Sequence, residues 1–247
     1  MKENQMVYGL RPVQEALKSG KEIDKIYIQS SLQASLFQQI KPLLQNRKIS
    51  LQYVPVERLN RLTANNHQGI IAIISPIEYC DFENVVSNIF EQGKVPFIVM
   101  LDRVTDVRNL GAIARSCECA GVDAIVVGQH SCAQINEDAI KTSAGALLRL
   151  PVCRQVNLKT TLNLAKQMGL TIYGATEKAS MLYTQENLTA PMLLIMGSEE
   201  DGISNDLLHL CDSKIKIPIC ANIESLNVSV AAGVIIYEAL RQRTLKH

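Results

Sequence analysis

Short apolar segments alternate with segments of helical periodicity through the second half of the chain, and this alternation constrains the fold more than any other feature. The apolar segments lie at residues 95–101, 124–127, 171–175, 192–196 and 214–217. Because the first four carry no charged side chain, they are typical of strands buried on both sides in a parallel sheet that helices cover. The sequence therefore predicts an α/β domain with a parallel sheet over residues 95–247.

Residues 1–76 show the same alternation on a smaller scale, with strand patterns at 23–29, 51–54 and 69–74. They predict a small α/β domain, and the more acidic residues 77–94 are expected to form a linker. Residues 1–76 hold ten Lys and Arg against five Asp and Glu, whereas the rest of the chain holds fifteen against nineteen. The net charge of +1 therefore conceals +5 on the N-terminal part, which indicates that this part faces an anionic partner.

The composition argues against several classes of protein. A hydrophobic content of 47% with 20% charged residues favours a folded core over disorder. The 7 cysteines include no C-x-x-C pair and the 4 histidines show no metal-ligand spacing, so we expect reduced thiols and no metal. No apolar run is long enough to span a membrane and residues 1–8 are too polar for a signal peptide, so we expect a soluble, cytoplasmic protein.

Polar loops follow three of the predicted strands, at residues 102–111, 197–204 and 218–229. Ligands of open α/β sheets lie beyond the carboxyl ends of the strands, so the convergence of these loops on one site is a functional hypothesis. Three ordinary loops remain the alternative. In the same way, Asp102, Arg103, Asp106 and Arg108 fit solvated loop charges equally well.

The 197–204 loop argues against a nucleoside triphosphate site. Its two glycines resemble a phosphate-binding loop, but Ile203 stands where the lysine belongs and three consecutive acids would repel phosphate. The dinucleotide motif G-x-G-x-x-G is absent from the chain. An acidic, glycine-rich loop suits a ligand with hydroxyl groups or positive charge, although a plain tight turn is also possible.

The last long stretch of the chain, residues 217–237, predicts a short strand, a polar turn and a helix that is apolar almost all the way round until Tyr237. Such a helix is expected to be buried on every side, within a core or against a partner. Its first turns nevertheless carry Ser225, Asn227 and Ser229, which need partners if they are buried. We therefore interpret these polar groups as candidates for contact with a ligand.

Three segments, taken in order, resemble the motifs of the SpoU (TrmH-type) RNA 2′-O-ribose methyltransferases of the SPOUT superfamily. They are Asn109-Leu110-Gly111-Ala112-Ile113-Ala114-Arg115, Gly197-Ser198-Glu199-Glu200-Asp201-Gly202 and Ser225-Leu226-Asn227-Val228-Ser229-Val230-Ala231-Ala232. Tyr8-Gly9 and His67-Gln68-Gly69 also resemble the small domain of the branch that methylates guanosine in large-subunit rRNA. The resemblance covers nearly the whole chain.

This resemblance implies a fold, a cofactor and partners. The fold would combine a C-terminal α/β domain with a deep trefoil knot, at residues 95–247, and an L30e-like RNA-binding domain at residues 1–76. The cofactor would be S-adenosylmethionine, bound in the knot. The substrate would be a structured RNA, above all a guanosine of 23S rRNA, and two chains would form a homodimer through the C-terminal domain.

The resemblance also implies roles for single residues. Asn109 and Arg115 would act on the acceptor ribose, and Glu199, Asn227 and Ser229 would complete the catalytic site. The cofactor would be bound by Gly197, Ser198, Glu199, Gly202, Ile217, Ile219, Leu226 and Asn227. Arg115 has two possible roles, as a base helped by an RNA phosphate or as a stabiliser of the forming alkoxide. A solvated arginine is the ordinary alternative.

The chain departs from the family pattern at several positions. Glu200 and Asp201 replace the small and basic residues that usually follow the glutamate of the second motif. Ala221 stands where the family usually has glycine, and Arg11 replaces a common histidine. These departures remove no presumed catalytic group, but they are expected to alter affinity or RNA preference.

Two alternatives remain at this point. One is a 2′-O-methyltransferase that acts on tRNA, and the other is a non-catalytic RNA-binding or ribosome-assembly module with the same fold. The presence of Asn109, Arg115, Glu199 and Asn227 argues against the second.

Overall fold

The structure, a computed structural model, describes residues 6–44, 49–220 and 225–244. The chain divides into two units, Met1–Glu78 and Tyr79–His247. Ala221, one of the departures from the family pattern, lies outside the described residues.

The first unit is a four-stranded sheet with helices on both faces. Its strands are β1 (Met6–Tyr8), β2 (Ile23–Gln29), β3 (Ser50–Val54) and β4 (Ile70–Ile74), and its helices are α1 (Leu10–Lys18), α2 (Gln33–Ile40) and α3 (Val56–Leu62). The strand order is β1-β4-β2-β3, in which β2 and β3 run parallel and the other pairings are antiparallel. Val13 and Leu17 of α1 pack with Ile26 on one face, and Leu59 of α3 packs with Tyr27 on the other.

The two N-terminal motifs contact each other at the start of α1. Gln68, whose φ is 52°, accepts a hydrogen bond through Oε1 from the backbone N–H of Leu10 at 3.0 Å. The N–H of Gly69 donates to Nδ1 of His67 at 3.0 Å, which closes the turn before β4. Gly9 has a φ of 87°, and a Cβ there would lie 3.3 Å from Gln68 Oε1. These motif residues therefore shape the local backbone.

The second unit is built on a seven-stranded parallel sheet. Its strands are β5 (Phe97–Leu101), β6 (Ala124–Gly128), β7 (Val152–Gln155), β8 (Thr171–Ala175), β9 (Met181–Leu182), β10 (Met192–Met196) and β11 (Ser213–Lys216). Its helices are α4 (Phe82–Glu91), α5 (Val107–Cys119), α6 (Glu137–Thr142), α7 (Leu158–Gln167), α8 (Asn205–Leu208) and α9 (Val228–Thr244). The strand order is β7-β6-β5-β10-β8-β11-β9, and every pairing is parallel. The predicted α/β fold with a parallel sheet is confirmed.

The sheet order places the ends of distant strands side by side. Leu101 at the end of β5 pairs with Met196 at the end of β10, and Ala175 at the end of β8 pairs with Ile215 of β11. Since all these strands run in one direction, the loops that follow them leave from one edge of the sheet. That edge is where a ligand site is expected.

The segment predicted as a linker contains helix α4. Asp81 caps this helix by accepting a hydrogen bond from the backbone N–H of Asn84. Phe82, Val86 and Ile89 are buried in the core of the second unit. Much of the apolar surface of this segment is therefore removed from water.

Helix α5 is capped three residues before Asn109. Asp106 is the N-cap, and its Oδ1 accepts hydrogen bonds from the N–H groups of Arg108 at 2.6 Å and Asn109 at 3.2 Å. An aspartate fills the same role as an asparagine at this position. The consequence is that the side chain of Asn109 is available for other contacts.

Helix α9 is buried on one side and exposed on another within a single chain. Ala232, Ile235 and Ile236 are buried, whereas Val230 is 52% exposed and Tyr237 is 49% exposed. Burial on every side, as the apolar pattern predicts, would therefore need a second chain against the exposed side. No helix in the described ranges is both long and apolar enough to cross a bilayer.

Candidate active site

Side chains from two loops and from the first turn of α5 meet at the carboxyl edge of the parallel sheet. The Nδ2 group of Asn227 donates to Oδ1 of Asn109 at 3.0 Å and to Oε1 of Glu199 at 2.5 Å. The partners are 118 and 28 residues away from Asn227 along the chain. The segments after β5, β10 and β11 thus converge on one cluster of amide and carboxylate groups.

Asn227 is also the residue that begins helix α9. Its Oδ1 accepts hydrogen bonds from the N–H of Ser229 at 2.9 Å, from the N–H of Val230 at 3.3 Å and from the hydroxyl of Ser229 at 2.5 Å. These are the bonds of an N-cap, which satisfies N–H groups that the first helical turn leaves without partners. The oxygen of the amide therefore holds the helix, and its nitrogen holds the cluster.

The loop that carries Glu199 is a tight hairpin. Ser198 and Gly202 exchange backbone hydrogen bonds of 3.0 and 3.1 Å, and the N–H of Asp201 donates to the hydroxyl of Ser198 at 3.1 Å. A Cβ on Gly197 would lie 2.1 Å from the carbonyl carbon of Gly202, so no larger residue fits there. Glu199 is exposed at the tip of this hairpin.

The loop after β5 carries charged groups that sequence reasoning treated as possibly solvated. Asp102 is only 4% exposed, and its Oδ2 accepts a hydrogen bond from the N–H of Ser204 at 2.7 Å. Arg103 donates to Asp201 at 2.8 Å and to the backbone oxygen of Gly202 at 3.0 Å. Of the two interpretations left open, the solvated one therefore does not hold for Asp102, and Arg103 is partly exposed but bonded to the hairpin. The available signal was the position of Asp102 directly after a buried strand.

A cavity of about 560 Å³ opens beside the cluster. Seven of the residues predicted to bind the cofactor line it: Gly197, Ser198, Glu199, Gly202, Ile217, Ile219 and Leu226. Asn227, the eighth, is not among the lining residues. The structure adds the loop after β8, with Thr176, Glu177 and Lys178, which sequence reasoning missed because no unusual composition marks it.

The lining of this cavity combines apolar walls with an excess of negative charge. Its apolar side chains include Met196, Ile215, Val228 and Ile235. Its charged side chains are Glu177, Lys178, Glu199, Glu200, Asp201 and Lys216, four acids against two bases. Such a lining suits a ligand that has a planar apolar part and carries positive charge.

A second cavity, of about 250 Å³, lies on the other side of the hairpin. Asn109, Arg103, Thr105 and Asp106 line it, and residues 198–201 and Val228 line both cavities. The hairpin with Glu199 therefore separates two adjoining spaces. Asn109 belongs to the smaller space alone.

Three of the predicted catalytic residues, Asn227, Ser229 and Arg115, line neither cavity. Arg115 is exposed, lines neither cavity and has no hydrogen-bond or ion-pair partner in the described part of the chain. It lies six residues beyond Asn109 on α5, roughly 9 Å along the helix axis. Ser229 contacts the cluster through Asn227 but lines neither cavity. No group of three or more His, Cys, Asp or Glu side chains in the described ranges is placed to hold a metal ion.

Two families match the chain in sequence. Residues 96–237 match the SpoU rRNA Methylase family, and residues 6–80 match the RNA 2′-O ribose methyltransferase substrate binding family. The chain belongs to the SpoU rRNA methylase family. The resemblance predicted from the three motifs is confirmed, and the chain is an RNA methyltransferase of this SpoU (TrmH) family.

Curated relatives of the SpoU family match over almost their whole length. A putative TrmH family tRNA/rRNA methyltransferase of Staphylococcus saprophyticus is 34% identical over 241 residues, covering 98% of this chain and 97% of the relative. The putative TrmH family tRNA/rRNA methyltransferase YacO of Bacillus subtilis is 31% identical with the same coverage.

Solved structures of SpoU proteins share the fold. The SpoU methyltransferase AviRb of Streptomyces viridochromogenes, in complex with the cofactor AdoMet, is 25% identical with a TM-score of 0.60, covering 97% of this chain and 90% of that one. The TrmH/SpoU tRNA modifying enzyme of A. aeolicus is 32% identical with a TM-score of 0.57, covering 66% of this chain and 85% of that one.

Proposed function

We propose that this SpoU family member transfers a methyl group from S-adenosylmethionine to the 2′-hydroxyl of a ribose, in a guanosine of 23S rRNA. The observation that carries the proposal is the Asn109–Asn227–Glu199 cluster between two adjoining cavities. A group-transfer enzyme needs two such spaces, one for the donor and one for the acceptor. The cluster then lies where the two substrates meet.

The larger cavity fits the cofactor in size and chemistry. Its volume of about 560 Å³ is within the usual range of roughly 300–1,000 Å³ for small-molecule sites. Ile217, Ile219 and Leu226 offer apolar contacts to an adenine ring, and the surplus of carboxylates suits a sulfonium and an ammonium group. S-adenosylmethionine supplies an electrophilic methyl group on its sulfonium. AviRb, which is similar over nearly the whole chain, binds the same cofactor.

The amide groups of the cluster orient the acceptor. Asn227 donates a hydrogen bond to Oδ1 of Asn109. The Nδ2 group of Asn109 has no hydrogen-bond partner among the described residues and can therefore donate to a ligand. We infer that Nδ2 of Asn109 donates to the ribose oxygen in the smaller cavity. Glu199 and the helix cap keep Asn227 in place for this task. Holding the reacting oxygen in line for transfer supplies much of the rate of such reactions.

Arg115 needs a second subunit in order to reach an acceptor ribose. It lines neither cavity of its own chain, yet it lies on α5, which packs against α9. The exposed side of α9 carries Val230 and Tyr237, apolar groups that a homodimer would remove from water. We infer that dimerisation through the C-terminal unit brings Arg115 to the acceptor site of the partner. There its guanidinium, as base or as stabiliser of the forming alkoxide, acts on the ribose oxygen.

The N-terminal unit is proposed to bind the RNA as an L30e-like domain. It matches a substrate-binding family, and residues 1–76 carry the surplus of positive charge. Lys25 and Arg58 lie 5.8 and 5.6 Å from the centre of the Tyr27 ring, which places two cations together on one side of its sheet. Cations grouped in this way attract the phosphates of a structured RNA.

The knot belongs to the proposal as well. We propose that the second unit forms a deep trefoil knot, in a domain that includes α4 and so begins before residue 95. The strand order is compatible with this topology: β10 lies between β5 and β8, and the loops after these strands and after β11 form the site. The cytoplasm, where ribosomal RNA is modified, is the proposed location.

Labelled methyl transfer tests this function. The purified protein is incubated with methyl-labelled S-adenosylmethionine and either 23S rRNA or tRNA from a strain that lacks the enzyme. Because a 2′-O-methyl group protects the adjacent phosphodiester, the expected label appears in an alkali-resistant dinucleotide of 23S rRNA that begins with guanosine. Label in tRNA alone would replace the proposed substrate by the tRNA alternative. If no label is transferred and calorimetry detects no cofactor binding, a non-catalytic RNA-binding module is favoured instead.

A further inference from the structure

Arg103 has a backbone conformation that arginine rarely adopts. Its φ is 59°, in the left-handed region that favours glycine because a Cβ is crowded there. Such strain persists only where other contacts hold the residue in place, and it is concentrated at functional sites. The contacts of the Arg103 side chain are therefore of interest.

The guanidinium of Arg103 donates two hydrogen bonds to the hairpin that follows β10. Its two terminal nitrogens donate to Oδ2 of Asp201 at 2.8 Å and to the carbonyl oxygen of Gly202 at 3.0 Å. Its Nε is buried and lies 3.6 Å from Oδ2 of Asp102, too far for a hydrogen bond. A planar fork that reaches a carboxylate and a backbone oxygen at once is a contact that lysine cannot reproduce.

Asp201 and Gly202, which accept these bonds, belong to the hairpin that borders the two cavities. Gly202 closes the hairpin through its two backbone bonds with Ser198, and Glu199 at its tip accepts the hydrogen bond from Asn227. Both Gly202 and Asp201 line the larger cavity. A shift of this hairpin would therefore move a cavity wall and the carboxylate that contacts Asn227.

We propose that Arg103 is a positioning residue that holds the 198–202 hairpin closed over the cofactor cavity, with Asp201 as its partner. The inference rests on the proposed function, because it gives the hairpin a task in cofactor binding. It also gives a role to Asp201, at which this chain departs from the SpoU motif.

The substitution Arg103→Gly separates positioning from stability. Glycine relieves the backbone strain, and this gain offsets the loss of a partly exposed ion pair, so Tm is expected to stay within about 2 °C of the parent. Cofactor affinity is expected to fall about tenfold, as for a hairpin that is closed about a tenth of the time. The amides of Ser198, Asp201 and Gly202, whose bonds close the hairpin, should lose most of their protection and exchange with deuterium more than tenfold faster, because exchange follows the open fraction.

Two further variants grade the effect. Arg103→Lys keeps the charge beside Asp201 but loses the fork, and Asp201→Asn removes the ion pair but leaves the bond to Gly202. Each is expected to weaken cofactor binding about threefold, less than Arg103→Gly, because one of the two contacts remains. The matched control is Asp206→Asn, which removes an exposed ion pair of 3.0 Å with Lys159 at the same edge of the sheet. It should change neither cofactor affinity nor hairpin exchange.

The measurements are calorimetry with S-adenosylmethionine, deuterium exchange and thermal denaturation. Parent-like affinity and parent-like hairpin exchange in Arg103→Gly would refute the proposal. So would a fall in Tm of more than about 5 °C with faster exchange in β5, because Arg103 would then support the unit as a whole. If the parent itself binds no cofactor, the proposed function fails, and hairpin exchange alone decides whether Arg103 holds the hairpin.

Discussion

Replacing Asn227 with alanine removes two sets of hydrogen bonds at once. The Oδ1 atom caps α9 through the N–H groups of Ser229 and Val230, and Nδ2 joins Asn109 to Glu199. Replacing Asn227 with aspartate separates these roles. A carboxylate still accepts the capping bonds, but it cannot donate to Asn109 and it sets a negative charge beside Glu199.

The expected magnitudes follow from these contacts. Loss of an N-cap costs about 1 kcal/mol of unfolding free energy, which lowers the Tm of a unit of this size by roughly 2–4 °C. The Asn227→Ala variant should show this loss, and Asn227→Asp should lose less because its cap remains. Both should lose about a hundredfold in kcat/KM, a barrier increase of roughly 2.7 kcal/mol, because Asn109 is no longer held for the acceptor.

The assays are thermal denaturation and labelled methyl transfer on RNA, and Asn157→Ala is the matched control. Asn157 caps α7 in the same way, with Oδ1 accepting from the N–H groups of Lys159 at 2.9 Å and Thr160 at 3.3 Å. Its alanine variant should lose a similar Tm and keep its activity. The reasoning is refuted if Asn227→Asp turns over at more than half the parent rate, or if Asn157→Ala is as inactive as Asn227→Ala.

Two further predictions concern the dimer and the pH dependence of stability. Arg115→Ala and Asn227→Ala should each lose about a hundredfold or more of activity. Co-expressed chains should regain about a quarter of parental methyl transfer, since half of random dimers would hold one intact site of two; no recovery would place Arg115 in its own subunit's site. Hydrogen bonds from Arg241 and Gln242 lower the pKa of Glu238 to about 2 from 4.5. The lowered pKa of Glu238 contributes stability above pH 4.5 that is lost as the pH falls towards 2. Glu238→Gln should therefore have a lower Tm than the parent at pH 7, and the difference in Tm should shrink below pH 4.5. A difference in Tm that does not depend on pH would contradict this.

The sequence predicts most of the second unit because its signals are local. The strands β5, β6 and β10 are continuous apolar runs, and the polar loops after β5 and β10 stand out directly beside such runs. The order of the three motifs predicted the family, and the match of residues 96–237 to the SpoU rRNA methylase family confirms it. Local patterns were less reliable at helix starts, because Asp106 and Asn109 are both good caps and only the structure shows which one is used.

The contacts between loops could not be predicted from the sequence. Asn227 meets Asn109 across 118 residues because α9 packs against α5. Neither this packing nor the strand order leaves a local trace in the sequence of a parallel sheet. The same holds for Arg103, whose charge resembles that of any solvated loop until the hairpin of Asp201 lies beside it.

The sequence by itself thus determined which segments form strands, which loops carry polar groups, and to which family the chain belongs. The tertiary structure alone decided that the amide of Asn227 both caps α9 and holds Asn109, and that Arg115 stands outside the cavities of its own chain. The physical reason is the range of the forces involved. Periodicity and burial act along a few neighbouring residues, whereas a hydrogen bond between distant loops exists only after the sheet has set their positions.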